Sequence, residues 1–306
     1  MPKVSVIIPI YNKGPRLKQS IESVLKQIYQ DFELILINDG SIDETEQIME
    51  FYKKKYPHKI RCFSQENKGV SYTRNYGIAV SMGEYVSFLD ADDYYHEMFL
   101  QETIQFSSEK HCDVVLTKHY KNFLSNGKSV RSKMTPNSND ILRDFILSKI
   151  DVNTDSWLVR KNILIDHNIS FREDITYGED MLFFIEVLLY AKKAGCVLKE
   201  LTSYNIGVED SLSKNTFDKV YKDIEWIEEA IQIIDENCLI EKRKAILIDA
   251  LEGYRLPAAV VYRLHLNKSQ LDNYQEHKNN LMVYIKKFRF NNGLRSIKLY
   301  KNIQQL

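Results

Sequence analysis

Short apolar runs alternate with amphipathic stretches along residues 1–110. Residues 4–8, VSVII, form a β-branched run; a Pro/Asn/Gly/Pro loop follows, and then Leu17, Ile21, Val24, Leu25 and Ile28 recur at helical spacing. Residues 33–37, ELILI, read as the next strand, 38–41 as a turn, and the stretch from Asp43 as a helix whose buried face carries Ile48, Met49 and Tyr52. Strands at 60–63 and 85–89 flank a helix over 71–81. Apolar strands alternating with helices predict an α/β fold with a mostly parallel sheet covered on both faces.

In such sheets ligands bind beyond the carboxyl ends of the strands. Three polar loops fall there: residues 9–12, residues 38–41 and the aspartates of residues 90–93. After Lys110 the pattern loosens. Residues 113–116 read as a strand, 122–139 as a polar loop, and 140–149 and 179–193 as helices, while 217–306 reads as helical throughout. The division expected is a first α/β half over 1–110, a second half over 111–215 and a helical subdomain over 216–306.

Composition narrows the class. Hydrophobic residues make up 44% and charged residues 27%, so a folded core is expected rather than disorder. Forty-two basic residues balance forty-two acidic ones, which removes any global attraction to nucleic acid. Cys62, Cys112, Cys196 and Cys238 show no CxxC or Cys/His spacing, and three adjoin apolar segments, as buried thiols do in a reducing compartment. With no leader-like start and no apolar run of membrane-spanning length, the expected location is cytoplasmic.

The stretch YVSFLDADDYYHE, residues 85–97, ends a buried-strand pattern in Asp90, Asp92 and Asp93. Like charges this close raise one another's pKa unless a cation or water compensates them. An Asp-x-Asp at a strand end suits a divalent cation or, through it, a diphosphate. Standing alone, it also fits a cap on the following helix.

Five segments set the aspartates in context: VSVIIPIYN (4–12), LILINDGSIDET (34–45), NKGVSYTRNYGI (67–78), GEYVSFLDADD (83–93) and YGEDMLF (177–183). In this order and at these intervals they resemble the inverting nucleotide-sugar transferases of glycosyltransferase family 2, which have a Rossmann-like GT-A fold. The resemblance implies a UDP-sugar donor, a base-binding loop from Pro9 with Tyr11, and Asp39 hydrogen-bonding the base. It implies Lys68, Gly69 and Arg74 covering the nucleotide, and a DxD motif of Asp90 and Asp92. Asp92 would ligate Mn2+ or Mg2+, and Asp90 would support ribose or metal-bound water. Asp180 of the Glu-Asp pair would be the base, Glu179 its neighbouring competitor, and Trp157 an acceptor-side aromatic. Without the other segments, Glu179 and Asp180 would simply favour a helix N-terminus.

The chain departs from the family over 204–213, YNIGVEDSLS, where relatives often carry a basic residue after the Tyr and a Gly before the Ser, and where Glu209 and Asp210 stand instead. From 277 to 306 no acidic residue occurs, and basic residues alternate with apolar ones, a pattern suited either to an anionic membrane surface or to a packed terminal helix. The expected activity is metal-dependent, inverting transfer of a hexose or N-acetylhexosamine to a glycan, lipid-linked saccharide or glycoprotein in bacterial surface polysaccharide or glycoconjugate synthesis. The alternatives are a sugar nucleotidyltransferase, for which PIYNKGPR is a poor phosphate loop, and a glycan- or nucleotide-binding module without turnover. A dehydrogenase would need a GxGxxG after a strand, and none occurs.

Overall fold

The computed structural model describes residues 1–136, 140–207, 216–268, 273–290 and 293–306. The chain forms two compact units. One comprises Met1–Thr135, Asp151–Glu173 and Tyr190–Ser211, the other Pro136–Ile150, Asp174–Leu189 and Leu212–Leu306.

The first unit begins with the expected alternation: β1 (Val4–Ile10), α1 (Gly14–Leu25), β2 (Phe32–Asp39), α2 (Thr45–Lys55), β3 (Ile60–Gln65), α3 (Val70–Val80) and β4 (Tyr85–Phe88). These strands pair in parallel in the order β3-β2-β1-β4. Every residue of β1 and β2 is buried, which explains unbroken apolar runs in place of alternation. α3 lies close against this layer: a Cβ at Gly77 would sit 2.4 Å from Ile7 Cγ2, so only glycine allows the approach. α1 ends at Leu25 rather than reaching Ile28, which is 52% exposed and whose amide donates to the Glu97 carbonyl.

Next come β5 (Tyr94–Tyr95), α4 (Phe99–Lys110), β6 (Val114–Phe123), β7 (Lys128–Arg131), α5 (Ile141–Ile146), β8 (Trp157–Arg160), α6 (Lys161–Asp166), α7 (Glu179–Tyr190) and β9 (Ala194–Ile206). The sheet continues past β4 as β8-β6-β9-β5, with β7 paired to β6. β8 runs antiparallel to β4 and to β6, whereas β6 and β9 are parallel. Residues 122–139 are thus not all loop. β7 forms a hairpin with β6, and because all four of its residues are exposed it carries no apolar signal; backbone pairing alone defines it.

The C-terminal stretch is helical among the described residues, as expected: α8 (Lys219–Asn237), α9 (Glu241–Ala250), a π-helical turn at Leu251–Arg255, α10 (Leu256–Asn267), α11 (Tyr274–Ile285) and α12 (Gly293–Gln304). α8 buries Val220, Ile224, Ile227, Ala230 and Ile234, one stripe at helical spacing. No helix of the described residues is long and apolar enough to cross a membrane.

Candidate active site

The first unit gathers its chemistry at the carboxyl ends of β1, β2 and β4. Pro9 lies within β1, and the β1–β4 ladder ends at Ile7, short of the proline ring. Tyr11 follows β1 and is 50% exposed, so its ring is open to a ligand. The Asn12 amide donates to Ser41 Oγ at 2.9 Å, and Asn12 Oδ1 accepts from the Ile42 amide at 2.9 Å, tying the loop after β1 to the loop after β2.

Asp39, at the end of β2, is buried and holds the loop that precedes α3. Its Oδ1 accepts from the Lys68 amide (2.8 Å) and Gln65 Nε2 (2.8 Å), and Oδ2 accepts from the Gly69 amide (2.9 Å). Asp39, Lys68 and Gly69 thus form one structure, in which carboxylate lone pairs remain for a ligand. Asp39→Ala would leave two backbone donors without an acceptor. It is expected to lower stability by about 1–3 kcal/mol and to weaken UDP binding, as read by urea unfolding and calorimetric titration.

The aspartates after β4 do not act as a simple helix cap; each has its own counter-group. Arg74 on α3, with its side chain 5% exposed, donates from Nη2 to Asp90 Oδ1 at 2.9 Å. Its guanidinium also lies 5.2 Å from the Phe171 ring centroid. Lys13 Nζ, from the loop after β1, donates to Asp92 Oδ2 at 2.9 Å. Asp93 turns inward: its Oδ1 accepts from the Asn205 amide of β9 at 2.7 Å, and it is 1% exposed.

A fourth carboxylate joins them. Asp155, in a tight turn just before β8, is fully buried; its Oδ1 accepts from the Asp90 amide at 2.8 Å and its Oδ2 from Asn153 Nδ2 at 2.7 Å. One carboxylate oxygen from each of Asp90, Asp93 and Asp155 lies within 4.8 Å of the others. Burial, followed by the facing Asp90 carboxylate, raises the Asp155 pKa to about 8. Burial and then Asp155 likewise raise Asp93. Lys13, Arg74 and retained protons therefore balance the crowded charge.

This set fits a divalent cation. The donors are hard carboxylate oxygens, as Mg2+ and Mn2+ prefer, and Asp93 and Asp155 share a side-chain hydrogen bond whose proton a cation can replace. Asp90 belongs both to this cluster and to the Asp90/Asp92 pair of the motif. Asp155 and Lys13 were not assigned from the sequence. Asp155 lies 65 positions beyond Asp90 with no motif around it, and Lys13 sits in a loop whose sequence suits a phosphate poorly.

Trp157 opens β8 and is 1% exposed; its carbonyl accepts from Ser87 Oγ at 2.6 Å. The sheet interior takes the ring, leaving it almost no surface for a sugar. Glu179 and Asp180 belong to the second unit, where they begin α7 in a half-buried setting, and Asp180 Oδ1 accepts from the Met181 amide at 2.7 Å. Of the divergent loop, residues 208–213 lie outside the described residues.

A parallel sheet with a carboxylate cluster at its carboxyl rim, extended by antiparallel strands, defines a GT-A protein. The chain belongs to glycosyltransferase family 2, whose model matches residues 5–175. It is similar to the poly(ribitol-phosphate) β-N-acetylglucosaminyltransferase TarP of Staphylococcus aureus (strain N315), 32% identical over 76% of this chain and 72% of TarP. It also resembles the minor teichoic acid biosynthesis protein GgaA of Bacillus subtilis (strain 168), 34% identical over 63% of this chain and 45% of GgaA. The chain spans less than two thirds of the length of most curated relatives it matches, GgaA among them, with shares from 24% to 61%. The crystal structure of S. aureus TarS 1-349 with UDP-GlcNAc superposes with a TM-score of 0.71 at 24% identity, covering 94% of this chain and 82% of that one, a likeness of fold.

Proposed function

We propose that this protein is a metal-dependent inverting glycosyltransferase that moves a hexose or N-acetylhexosamine from a UDP-sugar to a bacterial surface glycopolymer or other glycoconjugate. The observation that carries this reading is the carboxylate cluster of Asp90, Asp93 and Asp155 beside the Asp92–Lys13 pair, within the family's ordered motifs. Tyr11, Pro9, Asp39, Lys68, Gly69 and Arg74 line or support the nucleotide side. Asp90, with Asp92 or with Asp93 and Asp155, would hold Mn2+ or Mg2+. The bound ion would supply Lewis-acid stabilisation of the charge that develops on the departing diphosphate.

Asp180 takes the proton from the acceptor hydroxyl as that oxygen attacks the anomeric carbon opposite the leaving group, so the configuration inverts. Glu179 remains the acceptor-side candidate, while the Trp157 ring, 1% exposed, is taken up by the sheet interior. The name of TarP gives a poly(ribitol-phosphate) acceptor and N-acetylglucosamine, and the TarS complex contains UDP-GlcNAc. UDP-GlcNAc with a polyol-phosphate polymer is therefore the first pair to test. UDP release dependent on both Mn2+ and acceptor supports the reading; UDP binding with no donor consumed across a panel of UDP-sugars favours the binding module.

The basic segment supports work at the inner membrane face. Lys287 and Arg289 pair with Glu252 and Asp249, so part of its charge is held within the helical unit. Phe290, Leu294 and Ile297 are exposed (64%, 84% and 46%), and Lys286, Lys298 and Lys301 enter no ion pair among the described residues. Flotation with anionic vesicles is expected to recover the wild type and to lose Lys298→Glu/Lys301→Glu. Absence of wild-type binding removes the membrane contact.

A further inference from the structure

We infer that Arg263, Asp223 and the Tyr177 hydroxyl form a positioning relay in the helical unit that fixes the turn carrying Glu179 and Asp180. The inference rests on the reading of Asp180 as base. Arg263, on α10, has a side chain only 4% exposed. Its Nε donates to Asp223 Oδ2 on α8 at 2.7 Å, and its Nη2 donates to the Tyr177 hydroxyl at 2.7 Å. The other Asp223 oxygen, Oδ1, accepts from Trp226 Nε1 at 3.4 Å.

Trp226 in turn forms the floor of the turn. Gly178 has φ +86, and a Cβ there would lie 2.5 Å from Trp226 Cδ1, so the backbone rests directly on the indole. Tyr177 is held by its hydroxyl and Gly178 by this contact; Glu179 and Asp180 are the next two residues. The Leu182 amide then donates to the Gly178 carbonyl at 3.1 Å, carrying the fixed turn into α7.

Packing alone would not call for this arrangement. A buried guanidinium–carboxylate pair gains little over apolar residues of equal volume, since desolvation offsets most of its attraction. What it supplies is direction: a planar donor fork specifies where Tyr177 Oη must lie, which an apolar contact cannot do. Acid–base catalysis is sensitive to such placement, because a displacement of about 1 Å costs on the order of 100-fold in rate. Tyr177, Arg263 and Asp223 are thus positioning residues that act through Asp180.

The test compares Tyr177→Phe and Arg263→Lys with the wild type, using the donor and acceptor selected above. It reads kcat, donor KM, UDP affinity, the urea midpoint and hydrogen exchange at the Leu182 amide. Tyr177→Phe is expected to lower kcat by about tenfold or more, with donor KM and UDP affinity unchanged, and to speed Leu182 exchange by more than the fall in midpoint from the orphaned guanidinium N–H accounts for. Arg263→Lys, which keeps the charge but loses the fork, should do the same. Unchanged kcat with unchanged exchange overturns the relay, and so does a kcat loss matched by lost UDP affinity. Asp180→Asn run alongside separates the two readings: wild-type transfer by that variant removes the base assignment whatever Tyr177→Phe does. If no variant, wild type included, turns over donor, the glycosyltransferase reading fails and Leu182 exchange alone decides the relay.

Discussion

Asp180→Asn is expected to lower kcat for sugar transfer by about 10²–10⁴-fold, the usual contribution of a positioned general base, and to leave UDP affinity unchanged. Asparagine has the same shape and keeps an oxygen to accept from the Met181 amide, so the first turn of α7 survives the change. What it loses is proton affinity. Steady-state kinetics with calorimetric UDP titration checks both halves. Wild-type turnover by the variant would move the role to another group, with Glu179→Gln the next substitution to examine.

Asp90→Ala is expected to abolish the Mn2+ dependence of UDP binding and to weaken that binding in Mn2+ by about 100-fold or more, since even groups outside the ligand shell are worth about 10–100-fold. Asp90 is the one carboxylate common to both sets of candidate ligands, so its loss counts under either. Asp92→Ala and Asp155→Asn then divide them. If Asp92→Ala alone removes metal dependence, the ion sits toward Lys13 and displaces that ammonium from Asp92. If Asp155→Asn alone does so, the ion occupies the buried cluster. Metal dependence intact in all three variants would return the aspartates to a structural role.

The same cluster sets a pH dependence whose sign follows from its raised pKa values. Asp155 keeps its proton between the ordinary value of 3.8 and about 8, where the unfolded chain has already released it. The folded protein therefore binds more protons across that window, and without a cation this group's contribution to stability falls as pH rises through it. A cation must displace the same proton, so Mn2+ affinity should increase with pH and level off above about 8. Urea unfolding with and without Mn2+ over this range reads both trends. An Mn2+ effect that weakens as pH rises would contradict the buried cluster.

The alternation of strands and helices up to β4 was legible because β1, β2 and β4 are buried on both faces, leaving apolar runs that a linear reading detects, with the half-buried β3 between them. β7, β8 and β9 were not legible. β7 is exposed throughout, β8 has four residues, and β9 mixes exposed and buried positions with an irregular register against β6. Such strands exist because a neighbour offers hydrogen-bonding partners, and that depends on contacts far along the chain.

The site divides in the same way. Asp90, Asp92, Asp39 and Arg74 stood out because their motifs are local, and the sequence by itself determined that a carboxylate-rich rim would end a parallel sheet. Only the tertiary structure decided how that charge is held. It brings Asp155 against the Asp90 amide, sets Lys13 on Asp92 and Arg74 on Asp90, draws Trp157 into the sheet, and ties Tyr177 to Asp223 through Arg263. Which carboxylates share protons and which face a cation depends on distances of a few ångströms between distant segments, and a linear pattern does not encode those distances.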